Sequence, residues 1–138
     1  MSVRVLILDD EPIVGKRLGP AIAKMGCETE SFTEPKAALS RFEECPFEIV
    51  VTDIRMDDID GISVLEQTLR RSPKTKVIMI TGYATMEVAR EALAKGAFDF
   101  LAKPFKPAQL REMIARAAAE LGDKLELPQS AEETLADD

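Results

Sequence analysis

Strand-like runs, most of them apolar and rich in β-branched residues, recur five times along this chain, and each is followed by a segment of helical period. That alternation is the pattern of an α/β domain built on a parallel sheet. The runs are Arg4 to Leu8, Glu28 to Phe32, Ile49 to Thr52, Val77 to Ile80 and Phe98 to Ala102. Five right-handed βα units of this kind predict a doubly wound, flavodoxin-like (βα)5 three-layer sandwich whose parallel sheet has strand order 2-1-3-4-5. Sites in such sheets lie beyond the carboxyl ends of the strands, where the strand order reverses. Here that point falls between the first and third strands.

The intervening helices have readable limits. The first is expected from Pro12 to about Met25, with Ile13, Val14, Leu18, Ile22 and Met25 turned inward and Gly26 ending it. The second starts after Thr33, read as its N-cap, with Pro35 in the first turn and Ala38, Leu39 and Phe42 on the apolar face. The third begins near Gly61, uses Ile62, Val64, Leu65 and Leu69, and stops before Ser72-Pro73. The fourth, Thr85 to Lys95, is alanine-rich, with Met86, Val88 and Leu93 as its larger apolar groups. It should bury little and rank among the more mobile elements. The fifth runs from Pro107 to about Leu121 and presents Leu110, Ile114, Ala117, Ala118 and Leu121 to the sheet.

With 138 residues the chain has length for one domain, expected over residues 1–121. Residues 122–138 read as an acidic tail or linker without a sustained apolar period, for which disorder is expected. They carry −5 of the net charge of −7, leaving −2 for the body. That balance argues against a surface for nucleic-acid phosphates. No apolar run approaches the roughly 20 residues that span a bilayer, and the start leads into a strand rather than a signal peptide. No membrane association and a cytoplasmic location are therefore expected. Cys27 and Cys45 lack metal-site spacing and read as small buried hydrophobes. The chain has no histidine, which removes Ser-His and Cys-His nucleophile pairs, an imidazole base and histidine-ligated zinc.

Four of the strand runs end on groups of a particular kind. The first ends on Asp9-Asp10, the third on Asp53, the fourth on Thr81 and the fifth on Lys103. In the expected strand order three carboxylates, a hydroxyl and an ammonium meet at one sheet edge. Three neighbouring carboxylates repel unless a cation or a shared proton offsets them. All-oxygen ligands select Mg²⁺, with Mn²⁺ as the substitute, over zinc. A divalent cation together with Lys103 balances the three acids. A carboxylate beside those cations is a phosphoryl acceptor, because they neutralise the oxygens of the transferring group, and Thr81 supplies a hydroxyl to one of them. Each residue alone has a plainer reading: Asp10 as a helix N-cap, Thr81 as a turn residue, Lys103 as a solvated loop cation. Their joint occurrence at successive strand ends is what those readings leave unexplained.

The motifs that carry these groups are Leu8-Asp9-Asp10-Glu11, Thr52-Asp53-Ile54-Arg55-Met56 followed by Asp60-Gly61, Ile80-Thr81-Gly82-Tyr83, and Gly96-Ala97-Phe98-Asp99-Phe100-Leu101-Ala102-Lys103-Pro104-Phe105. Together they resemble the receiver domain of two-component response regulators, in order and over roughly residues 3 to 121. The resemblance implies that Asp53 is the phosphoacceptor and takes its phosphoryl group from a phosphohistidine on a sensor histidine kinase or histidine phosphotransfer protein. It implies that Asp10, Asp53 and the backbone carbonyl of Arg55 ligate Mg²⁺, and that Asp9 acts mainly through a bound water. Lys103 would pair with the acceptor and then the phosphoryl group, across a cis Lys103-Pro104 bond.

Thr81 and Phe100 would form the switch, the hydroxyl moving toward the phosphoryl oxygens while the ring turns inward. Phe in place of the family's frequent Tyr removes a polar tip, so the inward state should be easier to populate. Two features depart from, or vary within, the family pattern. Asp57 follows Met56 where Pro is frequent, and Arg55 and Tyr83 occupy positions that flank the path of hydrolytic water. Arg55 and Tyr83 are expected to shield the phosphoryl group and slow its loss.

Such a domain is not an enzyme in the turnover sense, although it would catalyse its own phosphotransfer and dephosphorylation. Its output would be a downstream protein, bound at the fourth helix, fifth strand and fifth helix, or a homodimer formed on phosphorylation. The alternatives are a regulatory fragment of a longer transcription activator or, from a different class, an aspartyl-nucleophile phosphatase. The phosphatase would want an acid two residues after its nucleophile, where Arg55 stands after Asp53 or Glu11 after Asp9 with Pro12 next, and a cap domain to hold the substrate, of which the sequence offers no sign. A flavin-binding relative of the fold would want a Ser/Thr/Gly-rich phosphate loop where Asp-Asp-Glu-Pro stands.

Overall fold

A computed structural model describes residues 3–54, 60–82 and 86–122, with the Met86 side chain outside that set. The elements alternate as expected: β1 (Arg4–Leu8), α1 (Pro12–Ala23), β2 (Glu28–Phe32), α2 (Pro35–Glu44), β3 (Ile49–Asp53), α3 (Gly61–Arg71), β4 (Lys76–Thr81), α4 (Met86–Ala94), β5 (Asp99–Ala102) and α5 (Pro107–Glu120). All five strands are parallel, in the order β2-β1-β3-β4-β5. The flavodoxin-like (βα)5 sandwich is therefore the fold of this chain.

Strand periodicity divides the core in two. Val5, Ile7, Ile49, Val51, Ile78 and Ile80 face α1 and α5, where Leu18, Ile22, Leu110 and Ile114 meet them. Leu6, Leu8, Val50, Val77 and Met79 face the other way, toward Phe42 of α2, Val64 and Leu65 of α3 and Ala92 of α4. Because β1, β3 and β4 are covered on both faces, their sequences are largely continuous apolar runs, and the polar residues that end them, Asp9, Thr52-Asp53 and Thr81, are buried as well. The edge strand β2 (Glu28-Thr29-Glu30-Ser31-Phe32) instead carries charge, which discourages pairing with another chain.

Several expectations need correction. Ile13 does not face the core. It is 59% exposed, because the first turn of α1 overhangs the ends of the strands. Thr33 is not the N-cap of α2, since Glu34 occupies that position in an extended conformation and Pro35 opens the helix. In α4 the sheet is met by Ala89 and Ala92, both buried, whereas Leu93 is 43% exposed. Cys27 is buried, and burial pushes its thiol up to about 11. Cys45 is only half-buried, and its sulfur accepts a hydrogen bond from the Arg4 guanidinium, so it is not simply a packed hydrophobe. Among the described residues no helix is long and apolar enough to cross a membrane. The expected tail beyond Gly122 lies outside the described residues.

Candidate functional site

Register determines which side chains meet at the sheet edge. Leu8 pairs with Thr52, which brings Asp9 and Asp53 side by side one residue further on. Asp53 pairs with Ile80, and Thr81 with Ala102, so Thr81 and Lys103 follow one step later on the neighbouring strands. Backbone hydrogen bonds continue past the last ladder rungs: Asp9 N–H donates to the Phe32 carbonyl at 3.1 Å, Ile54 N–H to the Ile80 carbonyl at 2.8 Å, and Lys103 N–H to the Thr81 carbonyl at 2.8 Å. The functional groups thus stand on extended sheet rather than on free loops.

Lys103 Nζ donates to Asp9 Oδ2 at 3.1 Å and to Asp53 Oδ2 at 3.0 Å. Asp9 Oδ1 accepts the Glu11 backbone N–H at 2.9 Å. Asp9, Asp53 and Thr81 are buried, Lys103 is half-buried and Asp10 is exposed. Asp10 does not cap α1: that position belongs to Glu11, whose side chain makes no cap hydrogen bond. The plainer reading of Asp10 is thereby removed, and its carboxylate is left beside the other two.

Burial pushes the Asp9 carboxyl above the usual carboxylate range, against the opposing pull of the Glu11 amide and the Lys103 ammonium. Burial also works against the Lys103 ammonium, but its hydrogen bonds to Asp53 and Asp9 outweigh that penalty and its pKa is raised. The centre holds more negative charge than one ammonium balances. One carboxylate oxygen from each of Asp9, Asp10 and Asp53 can be chosen so that all lie within 4.8 Å of one another. With neither histidine nor cysteine in the set, these donors fit a hard divalent cation of the Mg²⁺ or Mn²⁺ type. The Lys103–Pro104 peptide bond is cis, as the resemblance implied.

Phe100, half-buried, pairs with Met79 two residues before Thr81 pairs with Ala102, so the two expected switch residues occupy adjacent strands. Arg55, its carbonyl, Met56, Asp57 and Tyr83 lie outside the described residues. Beside the cluster a groove of about 560 Å³ runs between α1 and the Lys103–Pro107 turn, walled by Ile13, Val14, Leu18 and Phe105. Helical periodicity hides it, because by period alone the apolar stripe of α1 turns Ile13 inward.

Comparison with known proteins agrees with this geometry. The family model described as the Response regulator receiver domain matches residues 5–115. The response regulator PilR of Pseudomonas aeruginosa is 38% identical over 114 residues, covering 83% of this chain and 26% of PilR. The chemotaxis protein CheY of Thermotoga maritima is 30% identical over 119 residues, covering 86% of this chain and 99% of CheY. The crystal structure of a CheY-like receiver domain protein from Methanospirillum hungatei superposes with a TM-score of 0.84 at 30% identity, covering 88% of this chain and 98% of that one. The chain therefore spans about a quarter of the length of PilR but nearly all of CheY. Fold, acidic centre and family match together make this chain a member of the response regulator receiver domain family.

Proposed function

We propose that Asp53 accepts a phosphoryl group from a phosphohistidine on a sensor histidine kinase or histidine phosphotransfer protein, and that the modified domain then changes its affinity for a downstream protein. The observation that carries this reading is the Lys103 ammonium bonded at once to Asp53 and Asp9, with Asp10 alongside. A carboxylate oxygen of Asp53 attacks phosphorus, the phosphorus–nitrogen bond to the donor imidazole breaks, and that imidazole leaves with the bond's electrons. Lys103 orients the attacking carboxylate and then neutralises a phosphoryl oxygen, while the Thr81 hydroxyl donates to another. Asp9, Asp10 and Asp53, with the Arg55 carbonyl, would hold Mg²⁺, or Mn²⁺ in its place. The bound cation supplies charge neutralisation at the transferring oxygens. Both oxygens of Asp9 are hydrogen-bonded, one to the Glu11 amide and one to the Lys103 ammonium, which suits a role through an intervening water.

The domain catalyses its own phosphorylation and dephosphorylation rather than turning over a substrate, and acts in the cytoplasm. Arg55 and Tyr83 set the lifetime of the phosphoryl group; replacing either with Ala should speed its loss. Movement of Thr81 is coupled to inward rotation of Phe100, which alters the surface of α4, β5 and α5 where a partner or a second copy binds. The groove beside Lys103, with exposed Ile13 at its wall, offers the donor protein an apolar seat next to the acceptor. An aspartyl phosphatase is not favoured, because the family match is to a receiver.

Treatment with a small phosphodonor, followed by intact mass, tests the chemistry. The expected result is a gain of one phosphoryl group that requires Mg²⁺ and is absent from Asp53→Asn. Multiple turnover of small phosphomonoesters would overturn the reading in favour of a phosphatase.

A further inference from the structure

The N-terminus of α3 meets the end of β3 with no side chain between them. A Cβ placed on Gly61 would stand 2.6 Å from Ile54 Cα, 3.1 Å from the Asp53 carbonyl carbon, and closest of all to the Asp53 carbonyl oxygen. All three are backbone atoms, so no change of rotamer relieves the overlap. Ordinary contact begins near 3.4 Å, so a methyl group there requires the helix or the strand end to move by about 1 Å.

Neither side moves freely. Ile54 N–H donates to the Ile80 carbonyl at 2.8 Å, Gly61 N–H donates to the Ile54 carbonyl at 2.6 Å, and the Thr52 hydroxyl donates to the Asp53 carbonyl at 3.1 Å. The helix is held at the same end by Asp60, whose carboxylate accepts the Ser63 N–H at 2.8 Å, and by buried Val64 and Leu65. The peptide pressed by a residue-61 side chain belongs to the same residue whose carboxylate sits 3.0 Å from Lys103.

We propose that Gly61 is a positioning residue for phosphoryl acceptance: its missing side chain lets α3 pack flush on the Asp53–Ile54 backbone, and this close approach registers the Asp53 carboxylate against Lys103 and the neighbouring acids. The inference rests on Asp53 being the acceptor. Displacements of about 1 Å at a reacting group cost on the order of 100-fold in rate. Gly19 offers the contrast, since a Cβ there would meet only Thr29 Oγ1 at 3.7 Å.

The test compares the native chain, Gly61→Ala, Gly19→Ala and Asp53→Asn. Phosphoryl uptake from a small phosphodonor is followed by intact mass at saturating Mg²⁺. Mg²⁺ affinity is measured by calorimetry at a temperature where circular dichroism shows each chain folded. Folded Gly61→Ala should take up the phosphoryl group at least tenfold more slowly and bind Mg²⁺ at least fivefold more weakly, with Gly19→Ala unchanged in both. A loss of global stability alone would leave the Mg²⁺ affinity of folded molecules untouched. If Gly61→Ala is partly unfolded, the measurements are repeated in trimethylamine N-oxide, which favours the folded state.

Native uptake and native Mg²⁺ affinity in folded Gly61→Ala would overturn the proposal. So would slower uptake with unchanged affinity, full recovery of the rate in the osmolyte, or a chain that stays unfolded throughout, which would make residue 61 a folding requirement only. Absence of uptake by the native chain, or its persistence in Asp53→Asn, would instead overturn the acceptor assignment itself.

Discussion

At the scale of single residues, the centre depends on one ammonium serving two acids. Lys103 shares its hydrogen bonds between Asp9 and Asp53, both buried, so its removal takes an ammonium hydrogen bond from each of two buried carboxylates. Lys103→Ala should lower unfolding free energy by about 2 kcal/mol in metal-free buffer, the order expected for losing hydrogen bonds to charged groups. Urea titration checks this, and Mg²⁺ should restore part of the loss. The sequence puts Asp9, Asp53, Thr81 and Lys103 at neighbouring strand ends because each stands at or directly after the carboxyl end of a strand run, three of those runs buried and the edge strand β5 half-buried. It could not show that Lys103 is shared, because that depends on side-chain distance. Nor could it show the Gly61 approach, which depends on how closely an element separated by several residues returns to Asp53.

At the scale of elements, strands were more legible than helix faces. The limits of β1 and β2 agree with the sequence reading, because runs covered by helices stop where the cover stops, and β2 is bounded by Gly26-Cys27 and by the Pro35 turn. Helix period gives a stripe but not where the helix ends relative to the sheet. Ile13 therefore appears in the stripe of α1 and still projects into solvent, and in α4 small alanines take the inward places while Leu93 does not. Across β2 and α2, Arg41 makes two hydrogen bonds at 2.9 Å to Glu30, and they hold the Glu30 carboxyl below its usual range. Because the folded pKa lies below the unfolded one, the stabilisation is present above the unfolded value of about 4.3 and is lost as pH falls through the folded value. Arg41→Met should accordingly show a shallower loss of stability in acid than the native chain, measured by denaturant titration from neutral pH downward. Equal slopes would show that the pair does not persist in solution.

At the scale of the whole molecule, two cores on opposite faces of one sheet carry a charge centre at its edge whose acids outnumber its ammonium. The fold therefore tolerates an electrostatic cost at the edge that a bound cation would relieve. Mg²⁺ at tenfold excess over its Kd should add about 1.4 kcal/mol of stability, or about 5 °C in Tm for a domain of this size. Asp10→Asn should reduce that gain without lowering the metal-free Tm, since Asp10 is exposed and no other group relies on it to cap α1.

Three carboxylates compete for the role of acceptor, and chemical trapping distinguishes them. Borohydride reduces an aspartyl phosphate to homoserine, so the chain treated with phosphodonor and Mg²⁺, then reduced and sequenced as peptides, reports the acceptor by position. Homoserine at residue 53 alone, with residues 9 and 10 intact, is the predicted result. Homoserine at residue 9 or 10, or none in a chain that has gained mass, would contradict the account.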